Sequence, residues 1–198
     1  MLSSDGNDTK FLYKNFIFHM NLSVMSRHEI RIAFKKNGLN SALENLICLF
    51  SLDRHVHAEI RFDGYAFSSF YDSSNPIDVM HECNVGEWDF QEISITHPSV
   101  ALDILEDIFT KCRASYGFNP LDMAMPKSCL DFWEDDLDCT RPDTWKRLFC
   151  SQLVILFLRR CALAGVLHGR NLELLWSVNT HGCPPSKLKT LLTRIFMQ

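Results

Sequence analysis

The sequence lacks any apolar run long enough to cross a membrane. Its longest uninterrupted apolar run covers residues 153–158, whereas a membrane-spanning helix needs roughly 18–20 apolar residues. The first residues, 1–6 (MLSSDG), also lack the basic and then apolar stretches that mark a signal peptide. We therefore expect no transmembrane segment and a cytoplasmic or nuclear location.

The chain also has little net charge and no CxxC or CxxH pair. Its formal net charge is −4 and it has no Lys/Arg cluster, so we expect no nucleic-acid partner. None of the 8 cysteines belongs to a CxxC or CxxH pair, which argues against a zinc site. We expect no metal and no cofactor. Without a secretion signal, free thiols are expected rather than disulfides.

The composition is that of a globular protein. Hydrophobic residues make up 46% of the 198 residues, and 15 of them are Phe, which is enough apolar side chain for one sizeable core. Residues 1–10 are polar, and we predict that they are disordered. Residues 11–198 are predicted to form a single domain.

The order of the strand and helix patterns predicts an α+β fold. Alternating apolar residues and turn signals predict strands over residues 30–34, 57–62, 65–71 and 88–95. Helical spacing predicts helices over residues 42–50, 98–116 and 145–164 and after residues 184–186. We expect a small antiparallel sheet or half-barrel packed against a central helix that carries Cys150.

A cysteine stands at the predicted start of a buried helix, in residues 149–154 (FCSQLV). The dipole and free backbone N–H groups of a helix N-terminus favour an anion, which lowers a thiol's pKa and makes it a nucleophile. The alternative is an inert core cysteine. If residues 145–147 are already helical, Cys150 lies inside the helix and the dipole acts on it less.

A histidine that would serve as the base lies about ninety residues upstream, in residues 55–62 (HVHAEIRF). Strand alternation places His57, Glu59 and Arg61 on one face. His55 shares that face by parity, and His57 is favoured because His55 falls in the preceding turn. The alternative is a solvated polar face with no catalytic role.

A third group is needed to orient the histidine. Glu59 is the nearest candidate, although residues i and i+2 of a strand stand about 6–7 Å apart, too far for a hydrogen bond unless the side chains lean together. Ser68 or Ser69 on the neighbouring strand is the alternative.

The two motifs together resemble the circularly permuted NlpC-type branch of the papain-like superfamily, in which the histidine precedes the cysteine. Its signatures are a strand of the form His-Val-x-hydrophobic and a helix start of the form Cys-Ser-Glu-Leu-Val, which residues 57–64 and 149–154 resemble. Residues 116–123 and 183–188 are similar to its connecting segment and its ending. The family includes bacterial lipoprotein-like amidases, relatives of lecithin–retinol acyltransferase and proteins of large DNA viruses.

The resemblance covers about residues 28–196 and implies roles for two residues: Cys150 is the nucleophile and His57 the base, meeting across a small barrel. The chain departs from the family's pattern in two places. Gln152 replaces the usual glutamate, and residues 66–71 lack the acidic residue that many members place there. The third catalytic role, for which Glu59 is the candidate, therefore has no family counterpart in that strand.

Two functions from different classes follow. The first is a thiol-dependent hydrolase or acyltransferase that acts on a peptide amide, a ubiquitin-like tail or a lipid acyl group. The second is a catalytically idle papain-like fold that serves as a protein-interaction module, possibly of viral origin. The reactivity of Cys150 distinguishes them, because the fold is the same in both.

Overall fold

The computed structural model describes residues 30–38, 44–45, 48–49, 54–62, 65–69, 77–79, 85–111, 137–142, 145, 148–180 and 182–196. The predicted disorder of residues 1–10 lies outside these ranges. So does most of the segment between the helix that follows Pro98 and the helix that carries Cys150.

The described chain contains six strands and four α-helices. The strands are β1 (Ile30–Lys36), β2 (His55–Phe62), β3 (Tyr65–Phe67), β4 (Ile77–Val79), β5 (Trp88–Ile95) and β6 (Leu167–His168). The helices are α1 (Pro98–Lys111), α2 (Cys150–Leu163), α3 (Leu174–Ser177) and α4 (Pro185–Phe196), and a 3-10 turn covers Val85–Glu87. Residues 44–45 and 48–49 are also helical, within the helix predicted there.

The strands form an antiparallel sheet in the order β4-β3-β2-β1-β5-β6. Five strands make up its body, and the two-residue β6 pairs with the end of β5. The central pair, β1 and β2, is in register from Arg31 opposite Arg61 to Lys35 opposite His57. The prediction of an α+β fold with a small antiparallel sheet is confirmed.

One face of the sheet is apolar and lies in the core. Alternate residues of β1 and β2 supply it, and all of them are at most 2% exposed: Ile30, Ile32, Phe34, Ala58, Ile60 and Phe62. Helices α1 and α2 share this core, and residues 153–158 of α2 are buried on every side. A helix that is apolar all round belongs in the middle of a domain, so the prediction of a central helix is confirmed.

Several predicted boundaries were wrong. β1 runs to Lys36 rather than to residue 34, and β2 begins at His55, which was predicted to lie in the turn before it. The central helix was predicted from Trp145, but it begins at Cys150, because Trp145 closes a turn with Pro142 and Phe149 is extended. The strand predicted over residues 65–71 ends at Phe67. Ser68 and Ser69 follow it outside regular structure, and their hydroxyls bond to backbone carbonyls elsewhere.

A bulge near the start of β2 changes the direction of one histidine. Lys35 pairs with His57 but Lys36 pairs with His55, so β2 has one extra residue at this point. A bulge of this kind breaks the alternation of side chains between faces. The His55 ring therefore lies edge-on to Phe34, with centroids 6.1 Å apart, and the prediction that both histidines share a face was wrong.

Candidate active site

Cys150 is the first residue of α2. The preceding residue, Phe149, is extended, with φ −71° and ψ 162°, and its carbonyl accepts the first helical hydrogen bond, from Leu153 N–H at 2.9 Å. The Gln152 side chain folds back, and its Oε1 accepts Phe149 N–H at 2.9 Å. This is the N3 half of a capping box. Gln152 makes it without placing a negative charge next to the thiol, as a glutamate would.

The thiol of Cys150 is buried against β2, with the residue only 3% exposed. Burial raises the pKa of the Cys150 thiol to about 11, although backbone N–H groups of Ala58, Ser151 and Cys150 itself favour the thiolate. The Glu59 carboxylate raises it further. The expectation of a lowered thiol pKa was therefore wrong for this state of the protein, because loss of water outweighs the helix N-terminus.

His57 and Glu59 meet on the other face of β2, away from the apolar core. His57 Nε2 lies 3.7 Å from Glu59 Oε2, an ion-pair distance rather than a short hydrogen bond. Glu59 is 3% exposed, and its other oxygen, Oε1, accepts a hydrogen bond from Arg61 Nε at 2.5 Å. The two side chains lean together, so Glu59 reaches His57 despite the spacing of residues i and i+2.

Arg61 holds the Glu59 carboxylate in place. Its guanidinium pairs with Glu59 and lies 4.4 Å from the centre of the Trp88 ring on β5. A guanidinium that stacks on an indole and binds a carboxylate at once has little freedom left. Strand alternation predicted Arg61 on this face but no role for it, and no sequence signal pointed to Trp88. Together the two residues fix the carboxylate beside His57.

His57 is uncharged at neutral pH. Burial lowers the pKa of the His57 ring to about 4, and the positive charges of Lys35 and Arg61 lower it further. A neutral imidazole has a lone pair that accepts a proton. In this state the protein therefore holds a neutral thiol and a neutral ring rather than a thiolate and an imidazolium.

The structure brings Cys150 and His57 to the same short stretch of β2. The sulfur contacts the backbone of Ala58, which is the residue after His57. His55 is directed elsewhere, because its Nε2 lies 2.9 Å from Oδ2 of Asp89 on β5. In the sheet β5 lies beyond β1, whereas Cys150 approaches β2 beside the end of β3.

His55 belongs to a second polar cluster, formed with Asp89, Lys36 and Lys189. Lys189 of α4 pairs with Asp89, and Lys36 Nζ lies 2.7 Å from Asp89 Oδ1. Burial alone would raise the pKa of the Asp89 carboxyl, but hydrogen bonds from Lys189, Lys36 and His55 hold it well below its usual range. The cluster fastens α4 to three strands of the sheet, and its members are too far apart in sequence to form a motif.

The two serines considered as partners of His57 bond to backbone. Ser68 Oγ donates to Ala58 O at 2.7 Å and Ser69 Oγ donates to Leu148 O at 2.6 Å. Glu59 is therefore the candidate that the structure places beside His57, and the serines act on the chain around Cys150 instead.

Over the described ranges, no group of three or more His, Cys, Asp or Glu side chains is arranged to hold a metal ion. The described cysteines are free thiols, namely Cys48, Cys139, Cys150, Cys161 and Cys183. Within the same ranges, every helix is too short or too polar to cross a bilayer.

Comparison of the chain with family models, with curated proteins and with solved structures found no match. The resemblance to the permuted papain-like enzymes therefore rests on the cysteine and histidine motifs, residues 149–154 and 57–64. What these residues can do follows from the geometry of the site itself.

The lowered pKa of His57 predicts a loss of stability in acid. The unfolded chain binds a proton near pH 6.5 and the folded chain only near pH 4. Protonation therefore favours unfolding as the pH falls through this window. Between pH 7 and pH 5 the wild type should lose about 2 kcal/mol of unfolding free energy through His57 alone. Urea denaturation at the two pH values measures this loss.

The matched variants for that measurement are His57→Gln and His97→Gln. The first should lose about 2 kcal/mol less than the wild type on acidification, because glutamine does not titrate. The second replaces an exposed histidine and should behave as the wild type. Equal acid sensitivity of His57→Gln and the wild type would contradict the lowered pKa of His57.

Proposed function

We propose that the protein is a thiol-dependent hydrolase or acyltransferase of the permuted papain-like type, with Cys150 as nucleophile and His57 as base. One observation carries the proposal. The thiol stands at the first residue of a buried helix and is pressed against β2 at Ala58, next to His57. His57 and the carboxylate beside it, that of Glu59, belong to the same strand that the thiol contacts, which supports a thiol nucleophile with a histidine base.

The reaction begins with attack of Cys150 Sγ on the carbonyl carbon of an amide or ester. The thiol proton passes to the imidazole of His57, and the carbonyl oxygen becomes an oxyanion. The resting thiol and ring are both neutral, so this transfer accompanies the attack. Collapse of the intermediate breaks the bond to the leaving group, which takes the proton from His57. A thioester on Cys150 remains.

Release of the acyl group uses the same two residues, with the thiol of Cys150 now as the leaving group. Water, in a hydrolase, or an amine or alcohol, in an acyltransferase, gives a proton to His57 and attacks the thioester carbonyl. The C–S bond breaks, and the proton returns to the sulfur. The backbone N–H of Cys150 stabilises the oxyanion in both halves. Glu59 stabilises the imidazolium that forms on His57 and keeps the ring in place.

The acyl donor is a peptide amide, a ubiquitin-like tail or a lipid acyl group. These share a carbonyl with a leaving amine or alcohol, which is the chemistry that the thiol and imidazole serve. We propose no cofactor, since every proton and every bond in the two steps is accounted for by Cys150, His57 and the substrate.

The second candidate function is a catalytically idle member that binds a protein partner. A specific observation favours it: burial keeps the thiol protonated, with a pKa of about 11, and the ring unprotonated, with a pKa of about 4. Active thiol enzymes instead lower the pKa of the cysteine. In the idle protein Cys150 and His57 would have no catalytic role.

Trapping of the thioester separates the two functions. The protein is incubated with p-nitrophenyl acyl esters of increasing chain length, with a peptide p-nitroanilide and with a ubiquitin-type C-terminal amide. The acylated cysteine is then located by peptide mass spectrometry. We expect a hydroxylamine-sensitive adduct at Cys150 in the wild type, and at least about 100-fold slower acylation in His57→Ala, because general-base help is lost.

Cys161 is the internal reference for this experiment. It is buried in the same helix, 0% exposed, and burial raises its pKa to about 12. Faster acylation of Cys150 than of Cys161, dependent on His57, supports the enzyme. If Cys150 acylates no faster than Cys161 and no substrate turns over, the interaction module replaces the enzyme as the better interpretation.

A further inference from the structure

We propose that Ser68 and Ser69 are positioning residues that hold Cys150 against the backbone of β2 at Ala58. The inference rests on the proposed role of Cys150 as nucleophile. The two hydroxyl groups donate to backbone carbonyls, those of Ala58 and Leu148, and they act at an interruption in the sheet.

The interruption lies where the pairing of β2 with β3 stops. The pairing runs from Phe62 opposite Tyr65 to Ile60 opposite Phe67. Continued by two residues, the same register would place Ser69 opposite Ala58. Alternate residues of a strand direct their N–H and C=O groups to the same edge. At Ala58, however, β3 has already ended, so the edge of β2 is open to another partner.

Cys150 and Ser68 together take the place of the missing strand residue. The backbone N–H of Ala58 is directed to the Cys150 sulfur, and the backbone carbonyl of Ala58 accepts Ser68 Oγ at 2.7 Å. Ser68 is 0% exposed, so its hydroxyl cannot be replaced by water without rearrangement. One peptide edge is thus shared between a serine and the nucleophile.

Ser69 fixes the opposite side of the same junction. Its Oγ donates to Leu148 O at 2.6 Å, two residues before Cys150 and 79 residues away in sequence from Ser69. The bond ties the end of β3 to the segment that leads into α2. Because Ser68 is bonded to β2 and Ser69 to the segment before α2, the two adjacent hydroxyls set the distance between Cys150 and Ala58.

The position of Cys150 against Ala58 affects the thiolate, the charged form of its thiol. An N–H directed at the sulfur stabilises the thiolate relative to the thiol, and Glu59 on the same strand acts in the opposite direction. Removal of the Ser68 hydroxyl leaves the Ala58 carbonyl buried without that donor. The backbone of β2 at Ala58 then rotates until its carbonyl meets another donor. This rotation moves the Ala58 N–H away from the Cys150 sulfur.

The test is the pH profile of alkylation at Cys150. Wild type, Ser68→Ala and Ser69→Ala are pulsed with iodoacetamide between pH 6 and pH 10.5, and modification is read for each cysteine by peptide mass spectrometry. In either serine variant we expect alkylation of Cys150 at pH 8 to be about 3- to 10-fold slower, with the profile displaced to higher pH. Ser69 is half-buried, so its variant decides the matter if Ser68→Ala does not fold.

Ser151→Ala is the matched control. Ser151 is also buried, also lies beside Cys150 and also donates to a backbone carbonyl, that of Cys183 at 2.6 Å. Its loss removes the same kind of bond but leaves β2 untouched, so alkylation should change less than about twofold. Equal slowing in all three variants would overturn the proposal. Faster alkylation of Cys150 together with Cys161 would also overturn it, since it reports loosening rather than displacement.

The failure of this inference and the failure of the proposed function are distinguishable. Alkylation needs no acyl substrate. A displaced profile in Ser68→Ala without any turnover in the wild type would retain the positioning role and remove the enzyme. Turnover in the wild type with an unchanged alkylation profile in both serine variants would retain the enzyme and remove the positioning role.

Discussion

Replacement of Cys150 by serine should reduce kcat/KM on any acyl substrate that the wild type turns over by at least about 1,000-fold. A serine hydroxyl in the same place is a far weaker nucleophile, and a neutral His57 with a pKa of about 4 is a poor base for it. The exchange is nearly isosteric, so the buried position should tolerate it. The thermal midpoint should stay within a few degrees of the wild type, which calorimetry measures.

Measurement of kcat/KM also ranks the effects of substitutions at the other residues of the site. His57→Ala should lower kcat/KM by about 100- to 10,000-fold, and Glu59→Gln by less, because Glu59 only orients His57 and its negative charge also raises the pKa of the Cys150 thiol. The double variant of Cys150 and His57 should be no worse than the Cys150 variant, since the two act as a unit. Cys161→Ser, in the same helix, should leave the rate unchanged. Retention of activity in Cys150→Ser would contradict the proposed nucleophile.

Local chemistry made much of the fold predictable. β5 was predicted over residues 88–95 and observed there, because its alternation and the proline that opens α1 are both local signals. The start of α2 could be read from the apolar run after Cys150, although not to the residue. Trp145 looks helical in sequence, but its indole N–H donates to Asp138 O at 2.7 Å, and that contact holds the preceding segment in a turn.

The electrostatics of the site could not be predicted in the same way. A cysteine at a helix start suggests a low pKa only if the sulfur keeps some water, and exposure depends on what packs over it. In this protein β2 covers the sulfur. The direction of His55 depended on a bulge, which strand alternation does not announce. The partners of His57 were assembled from two strands, since Arg61 is held by Trp88 of β5.

A buried arginine in α2 fixes the helix that carries Cys150. Arg159 is only 4% exposed, and its guanidinium donates to three backbone carbonyls. These are Leu175 O at 2.9 Å, Leu137 O at 3.2 Å and Val178 O at 3.1 Å. Leu137 lies in the segment before α2, Leu175 lies in α3, and Val178 is the residue that ends α3. Arg159 therefore links these two segments to the central helix.

Arg159→Met should destabilise the protein by about 3–5 kcal/mol, because the apolar stem is kept while buried carbonyls lose charged donors. Chemical denaturation of the variant and the wild type measures the difference. Arg160→Met is the control at the next position. That side chain is 22% exposed and pairs with Asp107, so about 1 kcal/mol is expected. Similar losses at the two positions would mean that Arg159 contributes as a packed stem, and that the carbonyls find other donors.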